Sequence, residues 1–267
     1  MVTLKSRDEI ERMRHAGRIV AEVLALMEES LKPGVTTAQL DALAEAHIRK
    51  AGAKPSFKGY LGFPASICIS IDDEVVHGIP GERVIEDGQV VSVDAGAIWQ
   101  GYHGDGARTF FVGTPSADAA GLIAATRLSL MAGIAAAVPG AHIEDISGAV
   151  EDVASEGGYG IVRQYVGHGI GTQMHEDPQV PNFRGGGRGR ELKPGMCLAI
   201  EPMLTLGSPE VETLSDHWTV VTRDHSPAAH FEHTIAVTED GPRILTLRDF
   251  GEHPEAEQYR PAQAATV

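Results

Sequence analysis

The stretch VVSVDAGAIWQGYHGDGARTFFVG, residues 90–113, carries Asp94 and Asp105 in apolar arms on either side of a glycine-containing tip at 99–101. Apolar arms around a short turn predict a β-hairpin. With Asp94 opposite residue 105 or residue 107, the two-residue strand period puts both carboxylates on one face. Like charges held this way repel. Further on, MCLAIEP (196–202) brings Glu201 to a strand end, and the runs HWTVV (217–221) and HFEHTIAV (230–237), which flank the turn-like DHSP (224–227), place Glu232 inside a strand. Four carboxylates converging on one centre cannot all stay ionised without a counter-cation. A divalent metal is the natural one. The glycine-rich VGHGIGTQMHEDP (166–178) leaves little side-chain bulk around His168 and His175, and imidazole joins carboxylates readily on borderline first-row metals. One histidine with four carboxylates makes five ligands, enough for two ions roughly 3.5 to 4 Å apart that share bridging oxygens. The weight rests on the combination, because strands of buried type rarely carry unpaired acids.

Helices must frame these strands. Residues 7–31 set Ile10, Met13, Ile19, Val20, Val23, Leu24 and Met27 at helical spacing. A second helix follows Pro33-Gly34, with Thr36 and Gln39 as a capping box, Leu40, Leu43, Ala44 and Ile48 as its apolar stripe, and Gly52 at its end. LKPGVTTAQLDALAEAHIRKAGA (31–53) then returns as AVPGAHIEDISGAVEDVASEGGY (137–159), and IEDGQVVSVD (85–94) as LKPGMCLAIE (192–201), setting Asp94 on Glu201. Both alignments imply nearly one offset, far longer than a solenoid period. Two such halves pack about a pseudo-two-fold axis, each delivering an acid at the end of an apolar strand. No linker separates them, so residues 1–251 read as a single domain, followed by a polar tail over 252–267.

The composition bounds the partners. With 42% hydrophobic and 22% charged residues in 267, the chain reads as an ordinary globular protein. Its formal charge of −15 argues against a specific nucleic-acid or anionic-membrane footprint. The Arg184–Arg190 loop is the local exception. No secretory signal and no stretch approaching a membrane span is read from the chain. Cys68 and Cys197 are too few and too far apart for a disulfide framework, which points to a reducing cytoplasm.

SICISIDDEVVHGIP (66–80), VDAGAIWQGYHGD (93–105), GHGIGTQMHEDP (167–178), IEPM (200–203) and FEHTIAVT (231–238) occur in this order. Together they resemble the bacterial type I methionine aminopeptidases, over about residues 4–248. The resemblance implies an α+β, pita-bread fold: two pseudo-two-fold-related halves with a curved antiparallel sheet covered by helices. It implies that Asp94, Asp105, His168, Glu201 and Glu232 hold two divalent ions of Co, Mn, Fe or Zn. Asp105 and Glu232 are then the bridging or chelating ligands, and Glu201 relays a proton. By the same resemblance His175 hydrogen-bonds the developing oxyanion, His77 contacts the peptide at the scissile amide, and Tyr60, Phe63, Cys68 and Trp218 wrap the substrate side chain. The implied activity is removal of the initiator methionine from peptides and nascent chains, preferring a small second residue. A cytoplasmic monomer in transient contact with the ribosome completes that expectation. Two departures concern the pocket: Met174 stands where relatives often carry an aromatic residue before the second histidine, and AGAI after Asp94 is a smaller wall. The gap between His175 and Glu201 is too short for the inserted subdomain of type II enzymes. The amino-terminal stretch likewise reads as lacking the zinc-binding extension of eukaryotic type I forms. The rival readings are a pita-bread hydrolase acting at X-Pro bonds and a non-catalytic relative that has lost its ligands.

Overall fold

In the computed structural model, residues 2–248 are described; the polar tail expected from Glu252 lies outside them. Helix α1 (Arg7–Ser30) starts where Ser6 Oγ accepts the Glu9 N–H and the Glu9 carboxylate accepts the Ser6 N–H. All seven apolar residues read from its periodicity are buried. Helix α2 (Thr37–Lys50) opens on the same reciprocal cap between Thr36 and Gln39. Leu40, Ala44 and Ile48 are buried on it, whereas Leu43 is 38% exposed, one residue off the i, i+4, i+8 stripe that meets the sheet. Helices α3 (Ala117–Ala136) and α4 (Ile143–Glu156) repeat this pair. By length and composition α3 does match a membrane span, which corrects the reading above. Its apolarity serves packing: Leu122, Leu130, Met131 and Ile134 are buried, and a Cβ on Gly133 would stand 2.7 Å from Val150 of α4.

In the first half, β1 (Ile67–Ile71), β2 (Val90–Trp99) and β3 (Tyr102–Phe111) form an antiparallel sheet in that order. In the second half, β4 (Gly167–Gly169), β5 (Cys197–Ile200) and β6 (His233–Thr238) do the same, flanked by Glu176–Val180 and Gly241–Ile244. One apolar cluster packs α1 and α2 on β1 and β2, and a second packs α3 and α4 on β5 and β6.

The duplication holds hydrogen bond by hydrogen bond. Gly34 N–H donates to Ile85 O at 2.9 Å and Gly140 N–H to Leu192 O at 2.9 Å. Gly88 N–H donates to Val112 O at 2.8 Å and Gly195 N–H to Val237 O at 2.9 Å. These four glycines all have φ between +87° and +94°, a conformation costly for any residue with a Cβ.

The halves are joined where β3 meets residues 230–234. Ala107 and Glu232 exchange backbone bonds, with Glu232 N–H donating at 2.9 Å and Ala107 N–H at 3.3 Å. To one side, Asp105 N–H donates to Thr234 Oγ1, which donates in turn to Asp105 O at 2.8 Å. To the other, His230 N–H donates to Thr109 Oγ1 and that hydroxyl to His230 O, both at 2.8 Å. Three expectations are corrected by the structure. Glu232 lies between Ala228–His230 and β6, not inside a strand, because its backbone is turned to β3. Asp94 is mid-strand, since β2 runs on to Trp99 to pair with β3. His217 and Trp218 precede the strand Val220–Thr222 in a turn that Asp216 closes by accepting the Trp218 and Thr219 N–H groups.

Candidate metal centre and active site

Strand register brings the first two acids together. Asp94 stands opposite Ala107 and Asp105 opposite Gly96, the second of the two registers anticipated, so the carboxylates are diagonal neighbours on one face. The seam sets Glu232 beside Asp105, and β5 ends at Ile200, immediately before Glu201. Ligand atoms of Asp105, His168 and Glu232 lie within 4.8 Å of one another. Glu201 joins from the flank, with Oε1 3.5 Å from His168 Nε2. All five candidate ligands line one cavity.

The histidine is preset as a ligand. His168 Nδ1 lies 2.9 Å from Gly169 O. A carbonyl can only accept, so Nδ1 carries the proton and, in the neutral ring, Nε2 presents a bare lone pair to Glu201 and Asp105. Burial keeps the ring neutral, pulling its pKa down to about 4.

The carboxylates lack a counter-charge. Asp94 Oδ1, Asp105 Oδ1 and Glu232 Oε1 are buried with no hydrogen-bond partner among the described residues. Burial pushes Asp94 up to about 7. Burial, with the neighbouring acids adding to it, pushes Asp105, Glu201 and Glu232 well above the usual carboxylate range. Orphaned acceptors facing a bare imidazole nitrogen form a donor set suited to divalent first-row ions.

Around this centre the cavity, of about 170 Å³, has an aromatic and sulfur wall: Phe57, Tyr60, Phe63, Cys68, Met174 and Trp218. Phe63 meets Trp218 edge-on at 5.1 Å. Cys68 pairs with Asp94 across β1 and β2. Burial, and the acids around it, push the Cys68 thiol well up, so it stays neutral and packs against its neighbours. His77, at φ +62°, lines the same cavity, and burial lowers it to about 4. His175 Nδ1 lies 2.8 Å from the Tyr60 hydroxyl, and its ring centroid 4.3 Å from that of His168. When Tyr60 donates to Nδ1, the single proton of the neutral His175 ring is on Nε2. Every site residue read from the sequence thus lines this cavity.

The sequence reading missed Phe57 and Leu61 in the wall, and two buried histidines, His230 and His103. His230 is buried, with Nε2 3.8 Å from Glu201 Oε2. Buried His103 meets Ser56 Oγ through Nδ1 at 3.0 Å. Each stands two residues before an acid of the set, and that two-residue spacing was the available signal.

Residues 11–239 match metallopeptidase family M24. The chain is 55% identical over 248 residues to a methionine aminopeptidase of Clostridium acetobutylicum, covering 92% of this chain and 99% of that one. A crystal structure of methionine aminopeptidase from Thermotoga maritima superposes with a TM-score of 0.91 at 42% identity, covering 92% and 100% of the two chains. A prolidase from Pyrococcus furiosus shares the fold, with a TM-score of 0.75 at 24% identity over 92% of this chain and 66% of that one. The pita-bread architecture implied by the sequence is therefore the observed one. By a match spanning most of its length and an acidic centre assembled from both of its halves, the chain belongs to metallopeptidase family M24.

Proposed function

We propose that the protein is a metal-dependent methionyl aminopeptidase that hydrolyses the bond after an N-terminal methionine, preferring a small second residue. The observation that carries this reading is the cavity itself. It is lined by aromatic and sulfur side chains together with the five candidate ligands. Its volume of about 170 Å³ falls below the roughly 300–1,000 Å³ of ordinary ligand clefts. A space of that size with an apolar wall suits a single side chain such as that of methionine.

Asp94, Asp105, His168, Glu201 and Glu232 would hold two divalent ions of Mn, Fe, Co or Zn. Bound there, such a pair supplies Lewis acidity at the scissile carbonyl and activates water near neutral pH. The rest falls to the chain. Glu201 accepts the proton of the attacking water and returns it to the leaving amine, a role worth ~10²- to 10⁴-fold in general. His175 donates from Nε2 to the oxyanion, and His77 contacts the peptide beyond it. Tyr60, Phe63, Cys68, Met174 and Trp218, with Phe57, enclose the methionine side chain and exclude water. Met174, an unbranched thioether, widens the wall where an aromatic ring would narrow it. All five ligands come from one chain, which supports a monomer as the active form. The two free, buried cysteines support a cytoplasmic setting, where nascent chains are the substrate and the ribosome is met transiently.

The test is release of free methionine from Met-Ala-Ser and related peptides varied at the second residue, with each metal restored after chelation. X-Pro peptides serve as the alternative substrate. Methionine release favouring small second residues is the expected result. Faster cleavage of X-Pro bonds, or no turnover with any metal, would overturn the reading.

A further inference from the structure

Behind His175 the chain is gripped from its amino-terminal end. Glu176, the next residue, does not line the cavity. Its Oε2 accepts Lys5 Nζ at 2.6 Å and Thr3 Oγ1 at 2.9 Å, and its Oε1 accepts the Gln173 N–H at 3.2 Å. The Lys5 and Glu176 side chains are only 6% and 11% exposed. Lys5 is anchored in turn, its N–H donating to Gly195 O at 2.7 Å at the entry to β5 and Glu201. Gly171 faces the pair so closely that a Cβ there would stand 2.5 Å from Lys5 Cε and 2.6 Å from Glu176 Oε1. On the other side, Gly171 O accepts the His103 N–H at 2.8 Å. Residues 171–176 are thus clamped between residues 3–5 and β3, with His175 one peptide bond from the clamp.

We infer that Lys5 is a positioning residue: its ion pair with Glu176 fixes the 171–176 loop so that His175 faces the reacting carbonyl. This rests on the reading of His175 as the oxyanion donor. Removing one partner of a buried ion pair leaves the other charge uncompensated. Glu176 then turns toward water, and because His175 shares its backbone the imidazole moves with it. A displacement of about 1 Å at a catalytic group can cost ~10²-fold in rate.

Four variants test this: Lys5→Met, which keeps the apolar stem, Lys5→Arg, Glu176→Gln, and His175→Ala as reference. Three measurements are made: steady-state kinetics on Met-Ala-Ser for kcat and KM, Mn²⁺ affinity by calorimetry, and amide hydrogen exchange of the metal-free protein. Lys5→Met is expected to lower kcat by roughly 10- to 100-fold with KM changed less than about threefold. Its Mn²⁺ affinity should hold, and exchange should quicken over 171–176 and at the His103 N–H that bonds Gly171 O, but not in β2 or in the rest of β3. Lys5→Arg should recover most of kcat. If Lys5→Met does not fold, Glu176→Gln carries the same expectations. Wild-type kcat and exchange in these variants would overturn the inference, as would a loss of protection spread over the whole chain. Wild-type kcat in His175→Ala would instead overturn the reading of His175, while the exchange data would still decide whether the pair holds the loop.

Discussion

At the scale of single residues, the centre is defined by groups whose ordinary hydrogen bonds are missing. Three buried carboxylate oxygens have no partner among the described residues, and the proton of His168 is committed to Gly169 O, so its other nitrogen is free to ligate. This separates ligands from donors. Asp105→Asn removes one of the central negative charges, and metal content and methionine release should fall together. Full metal occupancy by elemental analysis in that variant would show the centre to be elsewhere. His175→Ala should keep its metal and KM but lose roughly 10²- to 10³-fold in kcat, the usual cost of one oxyanion donor. Steady-state kinetics beside metal analysis separate the two cases. The aspartates, His168 and His175 were legible in the sequence because the acids sit in the apolar arms of one hairpin and the histidines in one glycine-rich stretch, both local patterns. His230 and His103 each stand two residues before an acid of the set, but that spacing alone does not single out an imidazole. Only their burial against Glu201 and Ser56 marks them out.

At the scale of elements, close backbone contact sets where the acids stand. α1 lies on β3 so tightly that a Cβ on Gly104 would stand 2.5 Å from Gly17 N and 2.7 Å from Gly17 Cα. Both are backbone atoms, and neither can rotate away. Gly104→Ala should therefore lower stability by about 1–3 kcal/mol. That corresponds to a Tm loss of ~2–10 °C by calorimetry. Gly187→Ala, with nothing within 4 Å, should stay within about 0.5 kcal/mol of the parent. Equal melting temperatures for the two variants would contradict the packing argument. Capped helices and the hairpin were legible because caps and periodicity act over a few residues. Glu232 was misplaced because an HTIAV run looks the same whether the acid before it continues the strand or turns away to pair with β3.

At the scale of the whole molecule, the fold concentrates negative charge on an axis between its halves. Asp94, Asp105, Glu201 and Glu232 have folded pKa values raised above their ordinary ones, so the native state holds more protons than the unfolded chain as pH rises through that interval. Their contribution to stability is present at low pH and lost as pH climbs through the folded values, Asp94 at about 7. The buried histidines act oppositely. His77, His103 and His168 are lowered to about 4 and His230 to about 3, so their contribution grows with pH up to their ordinary 6.5 and then stops. Above 6.5 only the acids remain. Chelated protein should therefore lose Tm as pH rises through and beyond about 7, and the Tm gain from Mn²⁺ should increase over the same range. A metal-induced shift independent of pH there, by calorimetry, would exclude these carboxylates as ligands.

Helix positions, the hairpin, the repeat and the identity of the acids were determined by the sequence alone, since each depends on neighbours within a turn, a strand or one repeat length. The convergence was decided by the tertiary structure: the cross-half pairs Asp105–Thr234, Ala107–Glu232 and Thr109–His230 put acids from distant segments within reach of one ion. So was the Lys5–Glu176 clamp, which spans 171 residues. Pairings of that range depend on how two folded halves dock, and no local pattern of residue types encodes the docking.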